Sequence, residues 1–323
     1  MRFNPKARLD TSRVQDSGRG GGGGGRGGGM GGGQMRLPIP GGTKAGGGIG
    51  GLLILLLIFV VSQCSGVDIT GGGGPSTTTD TAIDTSRVAG DAGRYAGCRT
   101  GADANDDVDC ARIAVENSLF DYWTDTLPAE SDTAFQPATM LTFTGAVNTG
   151  CGQATSQVGP FYCPPDSSIY LDTTFFDDVL ERQLGGPDGG FVEPYVLAHE
   201  YGHHIQNLLG TMGQVRTQQG PRSDAVRLEL QADCYAGMWA GSATQSQDST
   251  GTALFTALTD EDISQAIAAA EAVGDDRIQQ KTQGQVTEES WTHGSAASRA
   301  KWFKTGFDNG TLRSCDTFAV ATP

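Results

Sequence analysis

One uninterrupted apolar run, Leu52 to Val61, constrains this chain more than any other feature. Glycine-rich sequence flanks it on both sides, which fits badly with a helix buried in a globular core. Its 10 residues are about half of the roughly 20 that a transmembrane helix needs. With the uncharged residues 46–51 and 62–64 the span reaches 19 residues. We therefore predict one transmembrane helix over residues 46–64.

Charge is distributed unevenly about this run, and the asymmetry predicts an orientation. Residues 1–51 contain eight basic and two acidic residues, and everything after them carries a net charge of −21. Because basic flanks stay in the cytoplasm, we expect the N-terminal part inside the cell and the acidic remainder outside. A cleaved signal peptide is one alternative, but its charged region would be about fifty residues long instead of a few. Lipoprotein processing at Cys64 is another, and Gln63 fits it poorly.

Composition divides the rest of the chain into flexible segments and one domain. Residues 1–45 are rich in glycine and arginine without apolar periodicity, so we expect a disordered cytoplasmic tail. Residues 65–88 have the composition of a second flexible linker. Residues 89–323 have the composition of a globular domain with a full hydrophobic core. The overall net charge of −15 argues against nucleic acid as a partner of this domain.

Six cysteines lie in the acidic domain: Cys98, Cys110, Cys151, Cys163, Cys234 and Cys315. An even number in a domain expected outside the cytoplasm indicates disulfides. Short loops close at low entropic cost, so we predict that Cys98 pairs with Cys110 and Cys151 with Cys163, which leaves Cys234 with Cys315. Buried free thiols are the alternative. The sequence contains no C-x-x-C pair, which disfavours zinc binding by these cysteines.

Apolar periodicity and capping residues predict an α+β domain that is mostly helical with a small sheet. The predicted helices cover residues 111–123, 175–184, 194–209, 223–239, 259–273 and 295–307. The predicted strands cover residues 140–143 and 168–172. If the second strand lies at a sheet edge, it can hold a peptide by strand addition.

His199-Glu200-Tyr201-Gly202-His203 is an H-E-x-x-H sequence inside the helix predicted over residues 194–209. Residues four apart share a face of a helix, so both imidazoles can bind one zinc ion while Glu200 points at the activated water. The pattern predicts a zinc hydrolase whose general base is Glu200. Two surface histidines without a role are the less favoured alternative.

A catalytic zinc site needs a third protein ligand and an open fourth position. The next predicted helix contains Glu229-Leu-Gln-Ala-Asp233, whose two carboxylates again share one helical face. We expect Glu229 to bind the metal and Asp233 to accept a hydrogen bond from a ligand imidazole. Asp224 is a weaker candidate, because an acidic residue at a helix start is useful for capping.

The other two histidines have different expected roles. His204 directly follows the second ligand and so points away from the metal, and we expect it to pack or to lie on the helix surface. His293 is distant in sequence, and zinc peptidases commonly place a distant histidine or tyrosine to stabilise the oxyanion. We predict that role for His293, with a structural or capping histidine as the alternative.

Taken together, these motifs resemble those of the neutral zinc metallopeptidases of bacterial envelopes. The resemblance extends over nearly the whole chain and includes Cys151-Gly152, Gly159-Pro-Phe-Tyr-Cys163, Tyr170-Leu-Asp172, Ala198-His-Glu-Tyr-Gly-His-His204, Glu229-Leu-Gln-Ala-Asp-Cys-Tyr-Ala-Gly237, Gly274-Asp-Asp276, Thr292-His-Gly294 and Trp302-Phe303. It implies zinc held by His199, His203 and Glu229, with Glu200 as the catalytic base. We accordingly expect a zincin-like peptidase domain.

The combined expectation is a zinc metallopeptidase anchored in the cytoplasmic membrane by a single helix. Its catalytic domain lies outside and its substrate is a peptide or protein. The main alternative is a cell-surface binding or scaffold protein with a non-catalytic zinc site. A structural zinc is normally closed by four protein ligands, and Glu200 would have no purpose beside it. Hydrolysis of a cell-wall peptide is a second alternative.

Overall fold

The computed structural model describes residues 1–19, 93–187 and 189–323. A four-stranded sheet with the order β2-β3-β7-β6 consists of β2 (Val14–Arg19), β3 (Thr139–Thr144), β6 (Phe161–Cys163) and β7 (Ser168–Asp172). Strands β2, β3 and β7 run parallel, and β6 runs antiparallel to β7. Two smaller antiparallel sheets pair β1 (Arg2–Phe3) with β8 (Phe255–Ala257) and β4 (Ala146–Thr149) with β5 (Gly152–Thr155).

Helices form the larger part of the regular structure. They are α1 (Gly101–Asp106), α2 (Val108–Glu130), α3 (Val192–Leu208), α4 (Asp224–Ser242), α5 (Asp260–Ala272), α6 (Asp275–Gln283) and α7 (Ala296–Asn309), with a π-helical segment over Phe176–Glu181. Ser223 and Ser295 cap α4 and α7 by accepting a backbone N–H, and Thr259 forms a capping box with Asp262 at α5. The predicted mixture of helix and sheet is confirmed.

Helix α3 is buried along most of its length and lies at the centre of the domain. Four apolar side chains of this helix are at most 2 % exposed: Tyr195, Leu197, Tyr201 and Ile205. They belong to one hydrophobic core together with residues of α2, α4 and the sheet. Burying a large apolar side chain contributes about 1.5–3 kcal/mol, so the orientation of α3 is strongly held. The helices that carry the predicted zinc ligands, α3 and α4, pack directly on each other.

Two glycines allow α4 and α7 to approach until their backbones touch. A Cβ atom at Gly237 would lie 2.0 Å from the carbonyl oxygen of Phe303, and one at Gly306 would lie 1.9 Å from that of Cys234. Any side chain at either position would force the helices apart. The close contact brings Arg299 of α7 against the zinc-site face of α4.

All three predicted disulfides are confirmed: Cys98–Cys110, Cys151–Cys163 and Cys234–Cys315. The second bridge joins β6 to the turn between β4 and β5, and the third joins the segment after α7 to α4. All six cysteines are buried. Such bridges persist in oxidising compartments, which is consistent with a domain outside the cytoplasm.

The first 19 residues do not form part of a disordered tail, so the prediction for residues 1–45 is wrong over this range. Phe3 is buried in the main core, and β2 pairs with β3. Arg13 donates Nε and Nη2 to the buried carboxylate of Glu116. These contacts are all distant in sequence, so local composition could not reveal them. Residues 20–45 of the predicted tail lie outside the described residues.

This packing also contradicts the predicted arrangement about the membrane. A single crossing within residues 46–64 would separate residues 1–45 from residues 65–323, whereas residues 1–19 and 93–323 share one hydrophobic core. A cytoplasmic N-terminal part joined to an external domain is therefore incompatible with this fold.

The predicted transmembrane helix and the linker over residues 65–88 lie outside the described residues. Within the described ranges, no helix combines the length and apolar character required to cross a membrane.

The position of the edge strand differs from the prediction as well. Strand β7, predicted over residues 168–172, lies between β3 and β6, and β6 and β2 are the two edge strands of this sheet among the described residues. All three residues of β6 are buried. A strand this short with no polar alternation gives no periodic signal in the sequence.

Labelling of intact cells that express the full chain tests whether both parts share one side of the membrane. Lys6 and Lys301 are both exposed and belong to one folded domain. After treatment with a membrane-impermeant amine reagent, we expect mass spectrometry to find both lysines modified or both protected, with lysed cells as the reference for full reactivity. Modification of Lys301 without Lys6 would restore the single-crossing arrangement.

Candidate active site

The three predicted metal ligands meet where α3 packs on α4. His199 and His203 lie one turn apart on α3, and Glu229 faces them from α4. His199 Nε2 is 3.3 Å from Glu229 Oε2, and His203 Nε2 is 3.4 Å from Glu229 Oε1. One ligand atom from each of the three residues lies within 4.8 Å of the others.

Two imidazole nitrogens and a carboxylate fit zinc in chemistry and in spacing. Zinc lies about 2.0–2.1 Å from such ligands, so neighbouring ligand atoms of a tetrahedral site are roughly 3.3 Å apart. The nitrogen–oxygen distances of 3.3 and 3.4 Å, which run to the two different oxygens of Glu229, are close to this value, and the three ligand atoms as a set lie within 4.8 Å of one another. Within the described part of the chain, no fourth histidine, cysteine or acidic residue joins the group. Three protein ligands are typical of a catalytic zinc site.

Hydrogen bonds at the Nδ1 atoms of His199 and His203 direct the Nε2 atoms of both rings toward Glu229. His199 Nδ1 lies 2.8 Å from Asp233 Oδ1, and His203 Nδ1 lies 2.8 Å from Gln206 Oε1. When Nδ1–H donates outward, the lone pair on Nε2 faces the metal position. Asp233 therefore lies where the sequence analysis expects it. Gln206 was not predicted, and its only signal in the sequence is the three-residue spacing from His203.

Asp233 is fully buried and receives several hydrogen bonds at once. The Tyr195 hydroxyl donates to Oδ1 at 2.6 Å, and Arg299 donates Nε to Oδ2 at 2.9 Å and Nη2 to Oδ1 at 3.0 Å. The guanidinium compensates a charge that would otherwise be very costly to bury. Its planar geometry also orients both carboxylate oxygens, so Arg299 positions His199 through Asp233.

Sequence reasoning missed Arg299. The available signal was its position on α7, three and four residues before the buried Trp302 and Phe303. This spacing puts an arginine on the apolar face of a helix. A cation on such a face requires a buried partner, but the sequence does not say which carboxylate that partner is.

Glu200 lies in the same cleft as the three ligands. Burial raises the pKa of Glu200 to about 7, and the nearby Glu229 carboxylate adds to the rise. A hydrogen bond from the backbone N–H of Tyr162 favours the charged form and opposes the rise. A carboxylate with a pKa near neutrality can both accept and return a proton. The Tyr162 contact also links this carboxylate to the edge strand β6.

Local electrostatics favour a bound cation at the ligands. Burial disfavours the charged form of His203 and lowers its pKa to about 4. Burial alone would raise the pKa of Glu229, but the neighbouring histidines outweigh it and hold that pKa below its usual range. Burial opposes protonation of His199 too, but Asp233 and Glu229 outweigh it and raise the pKa of His199 to about 10. The carboxylates therefore favour one positive charge at the site, a proton on His199 in the absence of metal, and a divalent metal held by the three residues would take the place of that proton.

His293 lines the same cleft and is held by the loop that carries it. Asp275 Oδ2 accepts the backbone N–H groups of Thr292, His293 and Gly294 at 2.8, 2.6 and 2.9 Å. Burial acts to lower the pKa of His293, but the Glu229 and Asp275 carboxylates outweigh it and raise the pKa. A protonated imidazole here is suited to bind developing negative charge.

His204 and Asp224 take no part in the site. His204 is buried and lies 3.1 Å from the Tyr162 hydroxyl and 2.6 Å from the Gln136 carbonyl oxygen, so it fastens α3 to the edge strand. Asp224 accepts the backbone N–H groups of Arg216 and Thr217 beside the start of α4. Both positions agree with the structural roles that the sequence favours.

Comparison with known proteins points to the same chemistry. The family model described as "Putative neutral zinc metallopeptidase" matches residues 1–318. An uncharacterized protein of Mycobacterium tuberculosis is 53% identical over 226 residues, which are 69% of this chain and 75% of that protein. The uncharacterized protein YpfJ of Escherichia coli is 36% identical over 292 residues, which are 86% of this chain and 92% of that protein. No solved structure matches significantly.

The family model spans almost the entire chain, including the first 19 residues and the whole site. This protein therefore belongs to the family of neutral zinc metallopeptidases.

Proposed function

We propose that this protein is a zinc-dependent peptidase that hydrolyses peptide bonds outside the cytoplasm. The observation that carries the proposal is the convergence of His199, His203 and Glu229 on one point, with the buried carboxylate of Glu200 in the same cleft. A closed structural site has no use for that carboxylate. Membership of the family supports a metallopeptidase in general terms.

Zinc held by these three residues would polarise the scissile carbonyl and lower the pKa of a coordinated water to about 7. In the proposed reaction, Glu200 accepts the proton of the attacking water and passes it to the leaving amine. His293 donates a hydrogen bond to the oxyanion that develops on the carbonyl. Asp233 and Gln206 keep the two ligand imidazoles in orientation.

Strand β6 is our candidate for holding the substrate in extended form. It is one of the two edge strands of the sheet among the described residues, and it is the one whose Tyr162 N–H reaches Glu200. A peptide that adds to this edge by backbone hydrogen bonds would run past the catalytic carboxylate. We therefore assign to β6 the role that the sequence analysis considered for β7.

The proposed location rests on the three disulfides, which are typical of oxidising compartments. Contact of the apolar run Leu52–Val61 with the membrane stays a prediction. In this fold such a contact would have to leave both flanks of the run attached to one domain, since residues 1–19 and 93–323 share a core.

Glu200→Gln separates hydrolysis from metal binding. The substitution preserves side-chain size and leaves all three ligands in place, so we expect about one zinc per chain and a loss of peptide hydrolysis of at least about 100-fold. Glu229→Gln removes an anionic ligand and should lose the metal. Zinc is measured by elemental mass spectrometry after dialysis, and cleavage is measured with a peptide library.

The matched control is Glu261→Gln, because Glu261 is exposed on α5 and should retain both zinc and activity. Hydrolysis at the wild-type rate by Glu200→Gln would refute the mechanism. Stoichiometric zinc in the wild-type protein without cleavage of any peptide would favour the scaffold alternative.

Arg299→Lys tests whether the guanidinium positions His199 through Asp233. Lysine keeps the charge but cannot reproduce the two parallel N–H···O bonds. Because Asp233 orients a ligand imidazole, we expect zinc affinity to fall by about 10–100-fold, measured by competition with a chromogenic chelator. Arg277→Lys, at an exposed position on α6, should bind zinc as the wild type does. Unchanged zinc affinity in Arg299→Lys would show that Arg299 serves only in packing.

A further inference from the structure

We propose that the apolar part of the catalytic cleft is a specificity pocket that accepts one large aliphatic or aromatic side chain of the substrate, next to the scissile bond. The proposal rests on the peptidase function proposed above and adds a substrate class to it: peptides with a residue such as leucine or phenylalanine at that position.

Apolar side chains form a wall of the cleft directly beside the metal ligands. Leu180 reaches it from the π-helical segment and Phe175 from the residue before that segment, Val196 from α3, Ala269 from α5 and Val273 from the residue after α5. Val196 precedes His199 by three residues and therefore lies on the same face of α3, one turn away. A side chain in this pocket would be attached to a residue adjacent to the reacting carbonyl.

The whole cleft, including the space beside the metal ligands, has a volume of about 120 Å³. An engineered apolar protein cavity of roughly 150 Å³ accepts benzene, so the apolar part of this cleft has room for one substrate side chain at most. A phenyl ring or a branched aliphatic group fits such a space, whereas a folded segment or a second peptide strand does not.

Among the described residues, the charged groups that line the cleft are already engaged. Apart from the three ligands, its charged or titratable lining residues include Glu200, His293 and Arg299. Arg299 is already paired with Asp233, and the other groups have roles in the proposed reaction. Desolvating an unpaired ammonium or carboxylate here would be strongly unfavourable, so the pocket selects against charge as well as for size.

The wall of the pocket is closely packed near Gly159. This residue has φ +79°, and a Cβ atom there would lie 3.0 Å from the ring of Phe175. A side chain at this position would strain the backbone and displace the Phe175 ring. The loop before β6 and Phe175 thus shape the pocket together.

Two substitutions change the pocket without removing a metal ligand or a catalytic group. Ala269→Leu fills it, and Val196→Lys brings an ammonium to it. For the wild-type zinc enzyme we expect kcat/KM to be at least about 10-fold higher for peptides with phenylalanine or leucine beside the scissile bond than for matched peptides with alanine, aspartate or lysine. Ala269→Leu should shift the preference toward alanine, and Val196→Lys should raise the relative rate for aspartate.

Leu208→Lys is the matched control, because Leu208 is a partly buried residue of the same helix but does not line the cleft. It should retain the wild-type preference. Ala269 is 1% exposed, so Ala269→Leu is first checked by thermal melting. If it does not fold, Val196→Lys decides the test, since Val196 is only partly buried.

Binding of the same peptides to the metal-free protein, followed by fluorescence polarisation, separates this proposal from the peptidase proposal. Selective binding of the phenylalanine and leucine peptides without any cleavage by the zinc-loaded protein would support the pocket and contradict the peptidase function. Cleavage that shows no apolar preference, or a preference that neither substitution changes, would refute the pocket and leave the peptidase function intact.

Discussion

The buried ion pair between Asp233 and Arg299 is the interaction on which the geometry of the site depends. It connects α4 to α7 at a depth where neither charge could remain alone. The near contact of the two backbones at Gly237 and Gly306 brings the guanidinium within reach. Asp233 then orients His199, so packing between two helices fixes a ligand on a third. The orientation of a candidate metal ligand in this chain thus depends on a contact far from the H-E-x-x-H motif in sequence.

Much of the site could be predicted because its information is local. The spacing of His199 and His203 on one helix, and of Glu229 and Asp233 on the next, places each pair on one face before any tertiary contact is known. The short disulfides follow from spacing in the same way. Gln206 and Arg299 could not be assigned, since the role of each depends on which side chain tertiary packing brings opposite it. The short strand β6 carries no periodic pattern at all.

For the N-terminal segment, in contrast, local composition gave a wrong structural prediction. Glycine-rich sequence after residue 19 made the whole region resemble a tail, yet Phe3 and β2 are structural parts of the domain. Strand β2 completes the sheet through its backbone pairing with β3, a contact that does not require an apolar run. This correction changes the relation of the chain to the membrane, since residues 1–19 before the apolar run and residues 93–323 after it share one hydrophobic core.

The proposed function requires an open zinc site built from His199, His203 and Glu229. Crystals of the zinc-loaded protein, with anomalous diffraction recorded on both sides of the zinc absorption edge, test it most directly. We expect one anomalous peak about 2.0–2.1 Å from both Nε2 atoms and from a Glu229 oxygen, with the remaining position free of protein atoms. A peak at any other location, or a fourth protein ligand that closes the coordination sphere, would contradict the account.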